Sequence, residues 1–218
     1  MRRRVSVLAI WAVAATASAA LAAGDGASVS FSVSGGTKRD ANTAVLIYGG
    51  AISLVGAVKG ARSGVRVTIV TRRYGGAAIS RELRTPPGAS FSYTDVPAIA
   101  SRYEVRLFVG AKLRFDGTFA VLVGPRLVLT AVSPARAIFA VSVQTPHSFA
   151  GRVVVIQRRV TEAEWRPILR VRLAAGSAAR FHLHLPRGRT VLRAVLPAAE
   201  AGPGYTYGLS NTFFFSRL

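Results

Sequence analysis

Cysteine is absent from the 218 residues, and its absence removes several chemistries at once. A disulfide framework, a thiolate metal site, a cysteine nucleophile and a lipid-modified cysteine are all excluded. A core that holds without covalent staples needs domains of roughly 80 residues or more, large enough to bury most of their apolar surface. Acids are scarce as well: nine Asp and Glu stand against 29 Lys and Arg, for a formal net charge of +20. So few carboxylates leave little for acid–base catalysis. Lysine is nearly missing from the basic set, because only Lys38, Lys59 and Lys112 are lysine and the rest is arginine. No serine sits in a G-x-S-x-G elbow. No helical pattern follows Gly202-Pro203-Gly204, so that stretch is not a phosphate cradle.

What is present begins with a leader pattern. Met1-Arg2-Arg3-Arg4 is positive, Val5 to Ala15 is apolar, and Thr16 to Ala23 is a run of small residues ending in Ala20-Leu21-Ala22-Ala23. This predicts a cleavable secretory signal over residues 1–23. A membrane-spanning anchor needs ~20 apolar residues, and the strongly hydrophobic part here is shorter. Arg2-Arg3 invites a twin-arginine reading, but Ser6 interrupts the apolar pair such a signal requires, so the general export route is expected. Cleavage removes three arginines and no acid. No later apolar run is long enough to cross a bilayer, so the expected mature chain has no transmembrane anchor and is secreted, or associated with the cell wall.

The rest alternates with period two. Residues 24–42 read as a linker with an edge strand at Val29–Val33. Strands follow at Ala44–Tyr48, Ala51–Val58, Val65–Arg72, Ala77–Arg84, Ser90–Thr94, Arg102–Val109 and Leu113–Val123. Glycine- and proline-rich turns such as Pro86-Pro87-Gly88 separate them. At Gly124-Pro125 the pattern restarts with Arg126–Val132 and Ala137–Gln144. Next come Val153–Arg159, Pro167–Ala174, Ala179–Leu185 and Val191–Leu196, and the chain closes with Thr212–Ser216. Leu169, Val171 and Leu173 share one face of their strand while Arg170 and Arg172 share the other. Phe181, Leu183 and Leu185 oppose Arg180, His182 and His184 in the same way. An apolar face and a charged face on each strand, with no helical periodicity, predict an all-β antiparallel sandwich architecture.

The two halves match as copies of one unit. Gly64-Val65-Arg66-Val67 through Arg72-Arg73 parallels Gly151-Arg152-Val153-Val154 through Arg158-Arg159. Phe91-Ser92-Tyr93 parallels Phe181-His182-Leu183, and Tyr103 to Leu107 parallels Thr190 to Ala194. The expected domains are residues 43–124 and 125–218. A glycine, a strand ending in Arg-Arg, a hairpin, an aromatic-led strand and a strand after a basic turn resemble the tandem immunoglobulin-like modules of secreted and surface proteins of GC-rich bacteria. The second half is the closer match. The first is also similar in outline to the carboxypeptidase-regulatory-like β-sandwich. The resemblance implies two tandem Ig-like sandwiches serving as spacers, adhesive units or accessory binding domains, and it carries over no catalytic residue.

Candidate sites follow from what the strands expose. The charge has two sources: attraction to a polyanion, or the arginine and alanine codons of a GC-rich genome filling exposed strand positions. The arginines are spread over both halves, which favours the second. Arg158, Arg159, Arg170 and Arg172 are the candidate contacts to an anionic cell-wall polymer. A neighbouring surface protein is the other expected partner. No surface with aromatic residues interleaved among basic ones is expected, which argues against nucleic acid. Tyr205 and Tyr207 lie in the loop Pro197 to Ser210, which either binds a partner or plugs the sandwich from below. Phe213, Phe214 and Phe215 cannot all face one core, so at least one belongs at an interface. His182 and His184 project from one strand face close enough to share a metal ion, with His147 the only other histidine. That pair carries the alternative reading of a metal-binding protein or hydrolase; a solvated strand face explains it more simply. Glu162 and Glu164 flank a turn and are expected to screen nearby arginines. The chain is therefore expected to be non-catalytic and to need no cofactor.

Overall fold

Period-two burial builds both cores. The computed structural model describes residues 15–16, 28–60, 64–86 and 88–217. Strand β1 (Ala15–Thr16) pairs with β2 (Ser28–Ser34), and β3 (Thr37–Asp40) forms a hairpin with β4 (Thr43–Ile47). Then come β5 (Ile52–Lys59), β6 (Val65–Arg73), β7 (Ala78–Thr85), β8 (Ser90–Asp95), β9 (Ser101–Val109) and β10 (Lys112–Gly124). One sheet has the order β1-β2-β5-β8 and the other β3-β4-β10-β9-β6-β7. Pairing is antiparallel except that β4 runs parallel to β10, from Ala120 opposite Thr43 to Gly124 opposite Ile47. The stretch expected as a linker is thus a bridge between the two sheets. It crosses at Gly35 and Gly36, where φ is positive and a Cβ would run into the carbonyl oxygens of Ala51 and Val45.

Ile52, Leu54, Val67, Ile69, Val105 and Leu107 are completely buried between these sheets. Tyr103 is buried with them, its ring stacked 4.8 Å from that of Phe119. Its hydroxyl donates to Asp95 at 2.7 Å, and Arg73 approaches the same carboxylate at 3.5 Å. A buried phenol needs such a partner.

The second sandwich repeats the plan. Its strands are β11 (Arg126–Ser133), β12 (Ile138–Gln144), β13 (Val153–Arg159), β14 (Trp165–Arg172), β15 (Ala178–His182) and β16 (Gly188–Leu196). After the helical turn α1 (Ala198–Ala201) come β17 (Gly208–Leu209) and β18 (Phe213–Arg217). The sheets are β11-β12-β15 and β14-β13-β16-β17, with β18 also on β16. The matched segments occupy equivalent places: β6 and β13 are each flanked by a hairpin partner and a long central strand, and β8 and β15 are each sheet-edge strands. Phe139 centres this core, with the rings of Phe181, Phe213 and Phe215 5.2–6.1 Å away. The ladder of β13 with β14 shifts between Ile156 and Gln157, opposite Pro167. Proline has no N–H to give a ladder, and this edge strand is where a sheet tolerates it. The molecule is all-β, with two Ig-like sandwiches in tandem.

Candidate binding face and domain junction

On β14, Val171 points to the core, so Arg170 and Arg172 point away from it. On β16, Leu192 and Ala194 are core, which turns Val191, Arg193 and Val195 outward. Register then sets Arg170 opposite Val155, Arg172 opposite Val153, and Arg193 opposite Gln157. Arg172 Nη1 donates to the Gly151 carbonyl at 2.9 Å, and Arg193 Nε donates to Gln157 Oε1 at 2.8 Å. The Arg193 guanidinium lies 4.1 Å over the Trp165 ring, and Arg189 lies 4.7 Å over Phe214. Burial lowers the Arg193 pKa from its ordinary value, since a desolvated guanidinium loses hydration of its charge. Arg158 and Arg159 sit at the hairpin end, opposite Arg166 and Trp165 respectively.

No strand of this sheet contains a carboxylate, although every long strand contains arginine. Two acids outside the strands reach the rim of this sheet: Glu164 pairs with Arg166 at 2.7 Å, and Glu200 accepts the Val153 N–H at 3.0 Å. The corresponding sheet of the first sandwich is different. There Glu82 pairs with Arg84 at 2.7 Å, and Arg106 contacts both Glu104 and Asp116. The positive charge is spread over both sandwiches, and the two sheets differ in their acids: β13, β14, β16 and β18 carry arginine alone, whereas β3, β7, β9 and β10 carry both signs. Phe214, the exposed member of the phenylalanine run, belongs to this face, while Phe215 is buried and Phe213 packs on the core.

The loop after β16 sits at the junction between the sandwiches. Gly204 O accepts the Ala100 N–H at 2.9 Å, Thr206 N–H donates to Val123 O at 3.0 Å, and Tyr48 N–H donates to Gly124 O at 2.8 Å. Tyr205 packs against both cores. Its ring meets Phe149 edge-on at 5.7 Å, and its hydroxyl is 3.1 Å from His147 Nδ1. Burial raises its pKa. Tyr207 is exposed, but its carbonyl lies so close to Gly124 that a Cβ there would approach to 2.5 Å.

His182 and His184 are exposed, with ring centroids 4.6 Å apart. His147 is engaged at the junction, and among the described residues no group of three His, Cys, Asp or Glu is placed to hold a metal ion. Sequence reasoning passed over Arg189, Arg193 and Trp165. Alternation against Leu192 and Ala194 could have turned Arg193 outward, but its stacking on Trp165 depends on a shifted register that no local pattern reveals.

No family model and no curated protein matches the chain. Among solved structures, a two-domain fibronectin type III segment from chicken tenascin is similar at 13% identity and a TM-score of 0.40. It covers 74% of this chain and 89% of that one. A cytokine receptor complex chain is similar at 17% identity and a TM-score of 0.39, covering 76% and 90%. The two-sandwich assignment stands on the strand order above. No helix among the described residues is long and apolar enough to cross a membrane.

Proposed function

We propose that the chain is an exported, non-catalytic module pair of the cell surface, whose second sandwich presents the β14-β13-β16 sheet to an anionic wall polymer. The observation that supports this reading is a set of strands that carry arginine and no carboxylate, whereas four strands of the other large sheet carry both. A guanidinium offers a planar donor fork that fits phosphate or carboxylate oxygens in pairs. Stacking on Trp165 and Phe214 holds two of these forks in place, so less side-chain entropy is lost on binding. The same stacking covers ring faces that a nucleobase would need, which favours a polymer without bases. The junction loop keeps the first sandwich beside the second as a spacer.

The test is binding of the full chain to poly(glycerol phosphate) and to neutral dextran across a salt series. The expected result is retention on the phosphate polymer alone, with affinity falling as salt rises. Arg170→Glu with Arg172→Glu should weaken binding and lower the salt slope by about one for each phosphate that is no longer neutralised. Equal affinity for both polymers, or an unchanged slope in the double variant, would overturn the proposal.

A further inference from the structure

A cavity of about 350 Å³ opens in the first sandwich, far in sequence from the arginine sheet. Its origin is a gap in pairing. Strand β10 begins at Lys112, but its ladder with β4 starts only at Ala120 opposite Thr43. The first half of β10 therefore has β9 on one side and no described strand on the other. Phe31 and Val33 of β2 form one wall, and Phe115 and Phe119 of β10 form the opposite one. The Phe31 and Phe115 rings lie 5.2 Å apart. Gly117 permits this, because a Cβ there would strike the Phe115 ring at 2.6 Å. The polar part of the lining comes from the β3–β4 turn, with Asp40 and Asn42, and from Asp116 and Thr118.

In a chain of net charge +20, two of the nine acids line this one cavity, and among the described residues no lysine or arginine does. We propose that it binds a small organic cation: an aromatic or alicyclic body packed against the touching rings of Phe31 and Phe115, with an ammonium group at the Asp40 and Asp116 rim. The volume is at the small end of ligand pockets, enough for one ring and a short amine. Phenylalanine faces attract a cation within about 6 Å, which a neutral or anionic ligand forgoes. Asp40 Oδ1 accepts the Asn42 N–H at 2.9 Å, and that bond, with one from the Thr43 hydroxyl, holds the carboxyl below its ordinary pKa, so it stays charged. The competing cations are weakly placed. Arg106 Nε is 3.8 Å from Asp116 with both side chains about half exposed, and such pairs contribute little. Arg39 adjoins Asp40 in the chain. Repulsion from the rest of the positive charge is screened beyond about 8 Å at physiological salt.

The test uses benzyltrimethylammonium, benzyl alcohol and phenylacetate with the full chain, followed by NMR shifts of Phe31, Gly117 and Thr118. The expected result is saturable shifts at these residues, with benzyltrimethylammonium binding at least tenfold more tightly than either other probe. The Asp40→Asn, Asp116→Asn double variant, folded by its dispersed spectrum, should lose that preference. Absence of shifts at these residues, equal affinity for all three probes, or a preference kept in the double variant would overturn the proposal. Polymer binding by the arginine sheet is measured separately and is unaffected by either outcome.

Discussion

Replacing Gly204 with alanine tests whether the two sandwiches act as one unit. Gly204 has φ +79 and its carbonyl holds the Ala100 N–H. A Cβ at this position would lie 2.6 and 2.7 Å from the Ile99 side chain and 2.9 Å from the Tyr74 ring. The left-handed conformation costs a residue with a Cβ on the order of 1–2 kcal/mol, and crowding of packed side chains adds about 1–3 kcal/mol. The alternative is for the loop to lift away, which breaks the Ala100 bond and unseats Tyr205 from between the cores. Gly151 supplies the control. Its φ is likewise +79, yet a Cβ there would meet nothing within 4 Å, so Gly151→Ala reports the backbone cost alone. Calorimetry should show Gly151→Ala lowering Tm by a few degrees, at about 2–4 °C per kcal/mol for a chain of this size. Gly204→Ala should lower it by about twice as much and split one transition into two. If the variants were equal and each melted in a single transition, the junction would not be what couples the domains.

Three further outcomes are expected. Tyr103→Phe removes the hydrogen bond to Asp95 and should cost about 1 kcal/mol at neutral pH by urea denaturation. Burial, then the Asp95 hydrogen bond, raise the Tyr103 pKa far above its ordinary value. The neutral phenol is thus favoured in the fold: its contribution is complete below about pH 10 and is lost as pH rises above it, a decline that should be shallower in Tyr103→Phe. Phe139→Ala empties the centre of the second core and should cost about 3–5 kcal/mol, read as a fall in the second domain's transition; a loss under about 1 kcal/mol would mean the four-ring cluster is not the core's anchor. Zinc should leave Tm unchanged in the wild type and in His182→Ala alike, because two histidines without a third ligand make a poor site; a zinc-dependent rise abolished by His182→Ala would revive the metal reading.

Most strands of both sandwiches were legible because they bury one face: Val65, Val67 and Ile69 in β6, or Val154 and Ile156 in β13, alternate with polar or less buried neighbours. Two features were hidden. Strand β3 has the sequence Thr-Lys-Arg-Asp, with no apolar face, and is a strand only because β4 lies beside it. The parallel pairing of β4 with β10 joins segments far apart in the chain, and alternation records a strand's faces, not its neighbours. The candidate face was half legible. Arg170 and Arg172 announced themselves around a buried valine, whereas Arg193 meets Trp165 beyond the bulge that leaves Ile168 of β14 unpaired. The tyrosine loop was readable as either plug or binding loop, and only the hydrogen bonds to Ala100 and Val123 place it at the junction.

The outermost strands carry a consequence for how this protein reaches its fold. Strand β14 ends its sheet with Pro167 and a row of arginines, and β7 ends the other with Arg81, Glu82 and Arg84. Two related sandwiches on one chain are at high effective concentration while they fold, when a bare strand of one could dock on the border of the other. Like charges and a missing N–H discourage that encounter. Neutralising Arg166, Arg170 and Arg172 should therefore change the native melting temperature little, and show itself instead in the fraction of chains recovered after refolding.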